Sequence, residues 1–283
     1  MQIIDQAQAM QHQAMAWRAA GDDIGLVPTM GALHAGHESL VQRARRENRR
    51  VVASIFVNPL QFGEADDLAR YPRPIERDLA TLERLGVDAT FHPEIDQIYP
   101  ASFRTRVDPG PWGAILEGRS RPGHFGGVLT VVLKLFEIAR PTRAYFGQKD
   151  AQQLLLVRQL VRDFCLPLRI VSCPTVREED GLAISSRNGY LDATERKQAP
   201  ALYRALRRAA DAFTEGETDP GRLEGLARDG LASDGLTVDY VALFDEATLE
   251  RPGIARPGNV MAGAVKLGLI RLIDNVILGA EVL

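Results

Sequence analysis

Two imidazoles stand three residues apart in the segment Val27-Pro28-Thr29-Met30-Gly31-Ala32-Leu33-His34-Ala35-Gly36-His37. An apolar β-branched run precedes it and a helical pattern follows, so the histidines belong to a strand-to-helix junction. The first amides of a helix point outward without intrahelical partners and suit an anion. Gly36 removes a side chain where a ligand has to approach the backbone. Two histidines at that end can hydrogen-bond phosphate oxygens and stabilise the charge that builds during attack at phosphorus. The chemistry is that of a triphosphate site with His34 and His37 as donors. Two bland readings compete: a pair of satisfied structural histidines, or a metal site. For the latter, His12, His92 and His124 complete no zinc set by spacing.

Four further segments carry chemistry-bearing groups. In Tyr145-Phe146-Gly147-Gln148-Lys149-Asp150, Gly147 allows backbone approach and Lys149 can reach a triphosphate. Asp150 can bind ribose hydroxyls or help hold a cation, and Gln153 lies one turn into the following helix. Ser185, Ser186 and Arg187 supply two hydroxyls and a fixed positive fork, suited to phosphate. Asn58, Gln61 and Tyr71 offer neutral polar groups around Phe56, Pro59 and Phe62, a combination that suits a small hydroxy acid with a methyl-bearing skeleton. Arg119, Arg121 and His124 put positive character in a glycine-rich loop that runs into an apolar helix. Polar loops, caps and solvated charges are the competing readings for all four.

Strand-like runs at 24–29, 51–57, 89–93, 143–147 and 168–176 alternate with helical patterns at 38–48, 74–85, 129–139 and 151–164. That alternation predicts an α/β fold, a Rossmann-like doubly wound parallel sheet with helices on both faces. Ligands in such sheets bind at the carboxyl ends of the strands, which directs attention to the loops after 29, 57, 147 and 176. Beyond 176 the texture changes. One helix is expected over Thr194–Phe213 and another over Asp219–Gly230, then strands over 238–245 and 265–278, the last with a bulge or turn at Asp274-Asn275. The expected organisation is a nucleotide-binding domain over residues 1–175 and a smaller C-terminal α+β domain over 176–283. The Ser185–Arg187 loop, just past their junction, is placed to close over a phosphate ligand.

Composition narrows the function classes. Lys and Arg number 34 against 37 Asp and Glu, a net charge of −3, which argues against a general nucleic-acid binder. Arg43, Arg45, Arg46, Arg49 and Arg50 form the densest basic cluster and read as a solvated helix face. No apolar run is long enough to span a membrane, and the first residues carry no basic and apolar leader. Cys165 and Cys173 are expected to be free buried thiols, which fits a reducing, cytoplasmic setting.

The spacing of Thr29, His34, Gly36 and His37 resembles the signature of the nucleotidyltransferase superfamily, which includes the class I aminoacyl-tRNA synthetases. The longer string PTMGALHAGHESLV (28–41) resembles the pantoate–β-alanine ligase family. Segments 54–73, 116–136, 145–161 and 174–191 agree with it, so the resemblance covers nearly the first 200 residues. Gly126 stands where the family often has a bulkier residue.

The resemblance implies ATP-dependent condensation of pantoate with β-alanine through a pantoyl adenylate, with release of pyrophosphate and AMP. It implies ATP contacts at Met30, Gly31, Ala32, Leu33, His34, Ala35, Gly36 and His37. Further ATP contacts are implied at Gly147, Gln148, Lys149, Asp150, Val176, Ile184, Ser185, Ser186 and Arg187. Pantoate falls to Gln61, Gln153 and His124, and β-alanine to Gln61. His37, His34, Lys149 and Arg187 become the catalytic set, with His37 the family's proton donor, although charge stabilisation is the role its position supports better. Mg²⁺ is expected with ATP, near Asp150, and a homodimer is expected. Two readings remain beside this one. A nucleotidyltransferase would leave AMP on a phosphorylated acceptor. A regulatory module would bind nucleotide without turnover.

Overall fold

The computed structural model describes residues 1–63 and 65–280. In chain order its elements are β1 (Gln2–Ile4), α1 (Ala7–Ala19), β2 (Ile24–Thr29), α2 (Ala35–Glu47), β3 (Arg50–Ile55), α3 (Ala65–Arg70), α4 (Ile75–Arg84), β4 (Ala89–Phe91), α5 (Ile95–Ile98), α6 (Glu117–Ser120), α7 (His124–Ala139), β5 (Arg143–Gly147), α8 (Ala151–Asp163) and β6 (Arg169–Cys173). Then follow α9 (Ala193–Gln198), α10 (Ala201–Thr214), α11 (Pro220–Ser233), β7 (Thr237–Phe244), β8 (Val260–Leu267) and β9 (Ile270–Ile277). The chain forms two compact units. One comprises residues 1–147 and 156–173, and the other 148–155 and 174–283.

The first unit is built on a six-stranded sheet in the order β1-β4-β3-β2-β5-β6, every pairing parallel. β2 and β3 are buried on both faces and read as near-continuous apolar runs, as a covered parallel sheet requires. Successive residues face opposite sides. Val27, Val51, Ala53 and Ile55 therefore share one layer with Leu40 and Val41 of α2 and Leu82 of α4. Helix α7 is buried along most of its length. From β2 the chain winds outward through β3 and β4, then returns to place β5 on the other side of β2. The order thus reverses between β2 and β5, where such folds open a crevice at the strands' carboxyl ends.

The second unit packs α10 and α11 against an antiparallel sheet, β7-β8-β9. Its expected elements need two corrections. Pro200 splits the single helix expected over Thr194–Phe213 into α9 and α10, because proline lacks the N–H that would continue the ladder. The long strand expected over 265–278 is a hairpin. It turns at Gly268-Leu269, with Gly268 at φ +53° and Leu267 paired to Ile270. Asp274 and Asn275 lie within β9, opposite Gly263 and Ala262, with no turn there.

Two further expectations hold only in part. Cys165 is exposed, while Cys173 is buried as expected, and both are free. The arginine cluster is not merely solvated, since α2 ends at Glu47 and Arg50 belongs to β3. Arg43 pairs with Glu47 at 2.9 Å, Arg45 with Asp88 at 2.6 Å, and Arg49 and Arg50 with Asp22 at 2.9 and 2.8 Å. Most of that positive charge is consumed within the first unit. No described helix is long and apolar enough to cross a membrane.

Candidate active site

Within the first unit, the loop between β2 and α2 is shaped before any ligand is considered. Thr29 ends β2, and its hydroxyl donates to Ser54 O at 2.6 Å and accepts from Gly31 N at 3.1 Å. Gly31 lies at φ +80°, and a Cβ there would stand 3.0 Å from Asp78 Oδ2. Asp78, on α4 and only 1% exposed, accepts from Ala32 N at 2.7 Å and Leu33 N at 2.9 Å. Met30 to Leu33 therefore bend onto a buried carboxylate. His34 is the extended N-cap residue of α2, and His37 follows within the first turn. Their ring centroids are 4.1 Å apart. Gly36 makes this possible, since a Cβ there would come within 3.0 Å of the His34 ring. The amides of Ala35, Gly36 and His37 precede the helix's hydrogen-bonded ladder, which begins with Glu38 N to His34 O at 3.0 Å.

The Gln61 segment is braced as firmly. Asn58, 1% exposed, caps the 3₁₀ turn Pro59–Gln61. Its Nδ2 donates to Gln61 Oε1 at 2.9 Å and to Gly127 O at 3.1 Å. Its Oδ1 accepts from Tyr99 Oη at 2.8 Å. Burial pushes the Tyr99 phenol well above its ordinary value, which keeps it a donor. With Oε1 occupied, Gln61 turns its Nε2 toward Met30, where it meets Sδ at 3.1 Å. His124 Nδ1 lies 2.8 Å from Gln61 O, and Arg121 reaches both that carbonyl and His124 Nε2 at 3.3 Å. Met30, Gln61 and His124 are thus one contact chain. Gly127 is required for it, because a Cβ would fall 2.2 Å from Leu60 O.

In the second unit, Gln148 to Asp150 form a turn ahead of α8, and Gln153 lies in the first turn of that helix. Asn275 Nδ2 donates to Gln148 O and Lys149 O, each at 2.9 Å. Ile184 N donates to Val176 O at 3.0 Å, so Val176 and Ile184 are brought together. Ser185 caps the short 3₁₀ helix Ser186–Tyr190 by accepting from Arg187 N at 3.3 Å. Asn188 Nδ2 holds Ala183 O at 3.1 Å.

Three residues in this scaffold were not among the candidates: Asp78, Tyr99 and Asn275. Each acts on a candidate segment distant in sequence, and only Asn275 carried any sequence signal, as a polar residue within an apolar run. Among the described residues, no three His, Cys, Asp or Glu side chains cluster so as to hold a metal ion. An exposed single carboxylate such as Asp150 fits the other mode, in which Mg²⁺ is carried largely by substrate phosphates.

A model of the family described as Pantoate-beta-alanine ligase matches residues 2–277. The pantothenate synthetase of Chloroflexus aurantiacus is 58% identical over 211 residues, 75% of each chain. That of Geobacillus kaustophilus is 53% identical over 229 residues, 81% of this chain and 76% of the relative. The crystal structure of the Thermus thermophilus pantothenate synthetase superposes with a TM-score of 0.90 at 46% identity, covering 98% of this chain and 99% of that one. The Francisella tularensis pantoate-beta-alanine ligase, solved with beta-gamma ATP and beta-alanine, gives a TM-score of 0.82 at 38% identity, with 99% of each chain covered. With the family model spanning nearly the whole chain, and the H-x-G-H loop set at the reversal point of the parallel sheet, this chain belongs to the pantoate–β-alanine ligase family.

Proposed function

We propose that this chain performs its family's ATP-dependent ligation in two half-reactions. The carboxylate of pantoate attacks the α-phosphorus of ATP, giving pantoyl adenylate and pyrophosphate. The amine of β-alanine then attacks the acyl carbon, giving pantothenate and AMP. Activation is required because a carboxylate is a poor electrophile, whereas the mixed anhydride carries a good leaving group. The observation that carries this reading is the paired His34–His37 element at the start of α2, beside the sheet's reversal point.

In this reading Met30 to His37 line ATP, and His34 and His37 stabilise charge on its phosphates. Gly147 and Gln148 lie against the nucleotide. Lys149, Ser185, Ser186 and Arg187 neutralise the triphosphate, with Val176 and Ile184 along the nucleotide. Gln61, Gln153 and His124 hold pantoate, and Gln61 also meets β-alanine. Asp150 would be the protein carboxylate for the Mg²⁺ that accompanies ATP, and the ion would supply further neutralisation of phosphate charge. The enzyme works as a cytoplasmic homodimer.

Exchange of label between pyrophosphate and ATP tests the scheme. Exchange that requires pantoate and not β-alanine is expected. No pantoate-dependent exchange, together with no β-alanine-dependent AMP release, would overturn it. His37→Ala is expected to lose the exchange while keeping its fold.

A further inference from the structure

The dipeptide Asp274-Asn275 is the only pair of adjacent polar residues in β9 that is buried, at 5% and 3% exposure. Neighbouring strand residues point to opposite faces. Asp274 shares its face with Leu272 and Val276, which belong to the core beneath α10 and α11. There it takes a two-pronged ion pair from Arg177, at 2.5 and 2.9 Å. Arg177 also donates to Gly181 O at 3.1 Å and Asn275 O at 3.2 Å, and it stacks on Tyr203 at 3.8 Å. It bridges to Ala183, so this anchor lies at the root of the loop that carries Ser185, Ser186 and Arg187.

Asn275 faces the other way. Both groups its Nδ2 meets are carbonyls, which fixes the amide's orientation. Its Oδ1 is buried with no hydrogen-bond partner among the described residues. A buried amide satisfied on one side only is a costly way to fill space. The donor half is the part with a function. No described peptide bond is cis. In a trans peptide the carbonyl and the following N–H point in opposite directions. Drawing Gln148 O and Lys149 O onto Asn275 therefore turns the amides of Lys149 and Asp150 away from it. Successive outward N–H groups beside a lysine make a cradle for an anion.

We propose that Asn275 is a positioning residue for the nucleotide. It aims the Lys149–Asp150 amides and the Lys149 side chain at ATP phosphate, while Asp274 and Arg177 fix β9 to the root of the Ser185–Arg187 loop. The two phosphate-gripping segments of the second unit are thereby held on one strand. The inference rests on the proposed roles of Lys149 and Arg187 toward ATP.

The test is steady-state kinetics on the full chain with Asn275→Ala, Lys149→Ala and the double variant. Asn275→Ala is expected to lower kcat/KM for ATP about ten-fold or more, with KM for β-alanine within about two-fold of the parent. In the Lys149→Ala background the same change should cost several-fold less than in the parent, because the side chain it aims is gone and only the amides remain to be aimed. A merely structural asparagine would give an additive loss in the double variant, and that result overturns the inference. A parent-like kcat/KM for ATP in Asn275→Ala overturns it as well. Should Asn275→Ala not fold, Asn275→Ser, which keeps one donor, decides by the same two criteria. Lys149→Ala with unchanged kinetics overturns the ATP reading together with the inference. A crippled Lys149→Ala beside a normal Asn275→Ala removes the inference alone.

Discussion

The two units brace their candidate phosphate segments with opposite polarity. In the first, Asp78 accepts from two consecutive amides, Ala32 and Leu33. In the second, Asn275 donates to two consecutive carbonyls, Gln148 and Lys149. The difference follows from what each loop has to present. The loop ahead of α2 already delivers N–H groups from the helix start, so the amides before it can be spent on an internal carboxylate. The Gln148–Asp150 turn has its own amides to offer, so its carbonyls must be taken up elsewhere. The two braces cannot be exchanged, since an aspartate at 275 would set carboxylate oxygens against two carbonyl oxygens.

The largest effect should come from breaking the first brace. Asp78→Ala leaves two amides without an acceptor in a buried site and frees Met30 to Leu33. A loss of about 100-fold or more in pantoate-dependent pyrophosphate exchange is expected, with destabilisation on the order of 2–3 kcal/mol by denaturant melts. Retention of full exchange would show that the loop holds its shape without the carboxylate.

Next comes Gly127→Ala. The new Cβ would fall 2.2 Å from Leu60 O, so the Gln61 turn has to move. KM for pantoate should rise roughly ten-fold, with a stability cost of about 1–3 kcal/mol. An unchanged KM would detach Gln61 from pantoate. Tyr99→Phe probes the same chain more gently. It removes the donor to Asn58 Oδ1, and a rise of about two- to five-fold in KM for pantoate is expected, without change in KM for ATP. A rise for ATP instead would merge two subsites that the comparison keeps apart.

The smallest effect concerns support at the far end of the strands. Burial pushes the Tyr145 phenol up to about 12, with help from Glu47 and opposition from Asn48. A raised folded pKa means full stability below the unfolded value near 10 and loss as pH rises from there toward 12. Thermal melts should therefore fall between those values. Tyr145→Phe should flatten that limb while leaving exchange at neutral pH unchanged. An equally steep alkaline limb in the variant would assign the effect to other groups.

Much of the framework was legible because its signals are local. β2 and β5 are short apolar runs ended by polar loops, and both occur at their expected limits, 24–29 and 143–147. Helix starts were harder. α7 begins at His124, not at residue 129, because Gly126 and Gly127 weaken the pattern over its first turn. β1, with only three residues, gave no alternation to read. The H-x-G-H loop was legible as a strand-to-helix junction, since its residue types and spacing suffice. Its brace was not, because Asp78 lies 46 positions from Ala32, and Asn275 lies 127 from Gln148. In sequence these look like one more acidic residue on a helix and a polar interruption in a strand. Only folding shows which backbone groups they reach.

That 127-residue span also sets an order of events during synthesis. All the strands of the parallel sheet have been made by Cys173, so that sheet can pair while translation continues. The turn bearing Lys149 is made before β6, yet it receives its clamp only after β9 has emerged. A nascent chain short of β9 would have a complete parallel sheet and a Lys149 turn without its clamp. Under the role proposed for Asn275, completion of β9 thus acts as a checkpoint for the competence of a loop synthesised long before it.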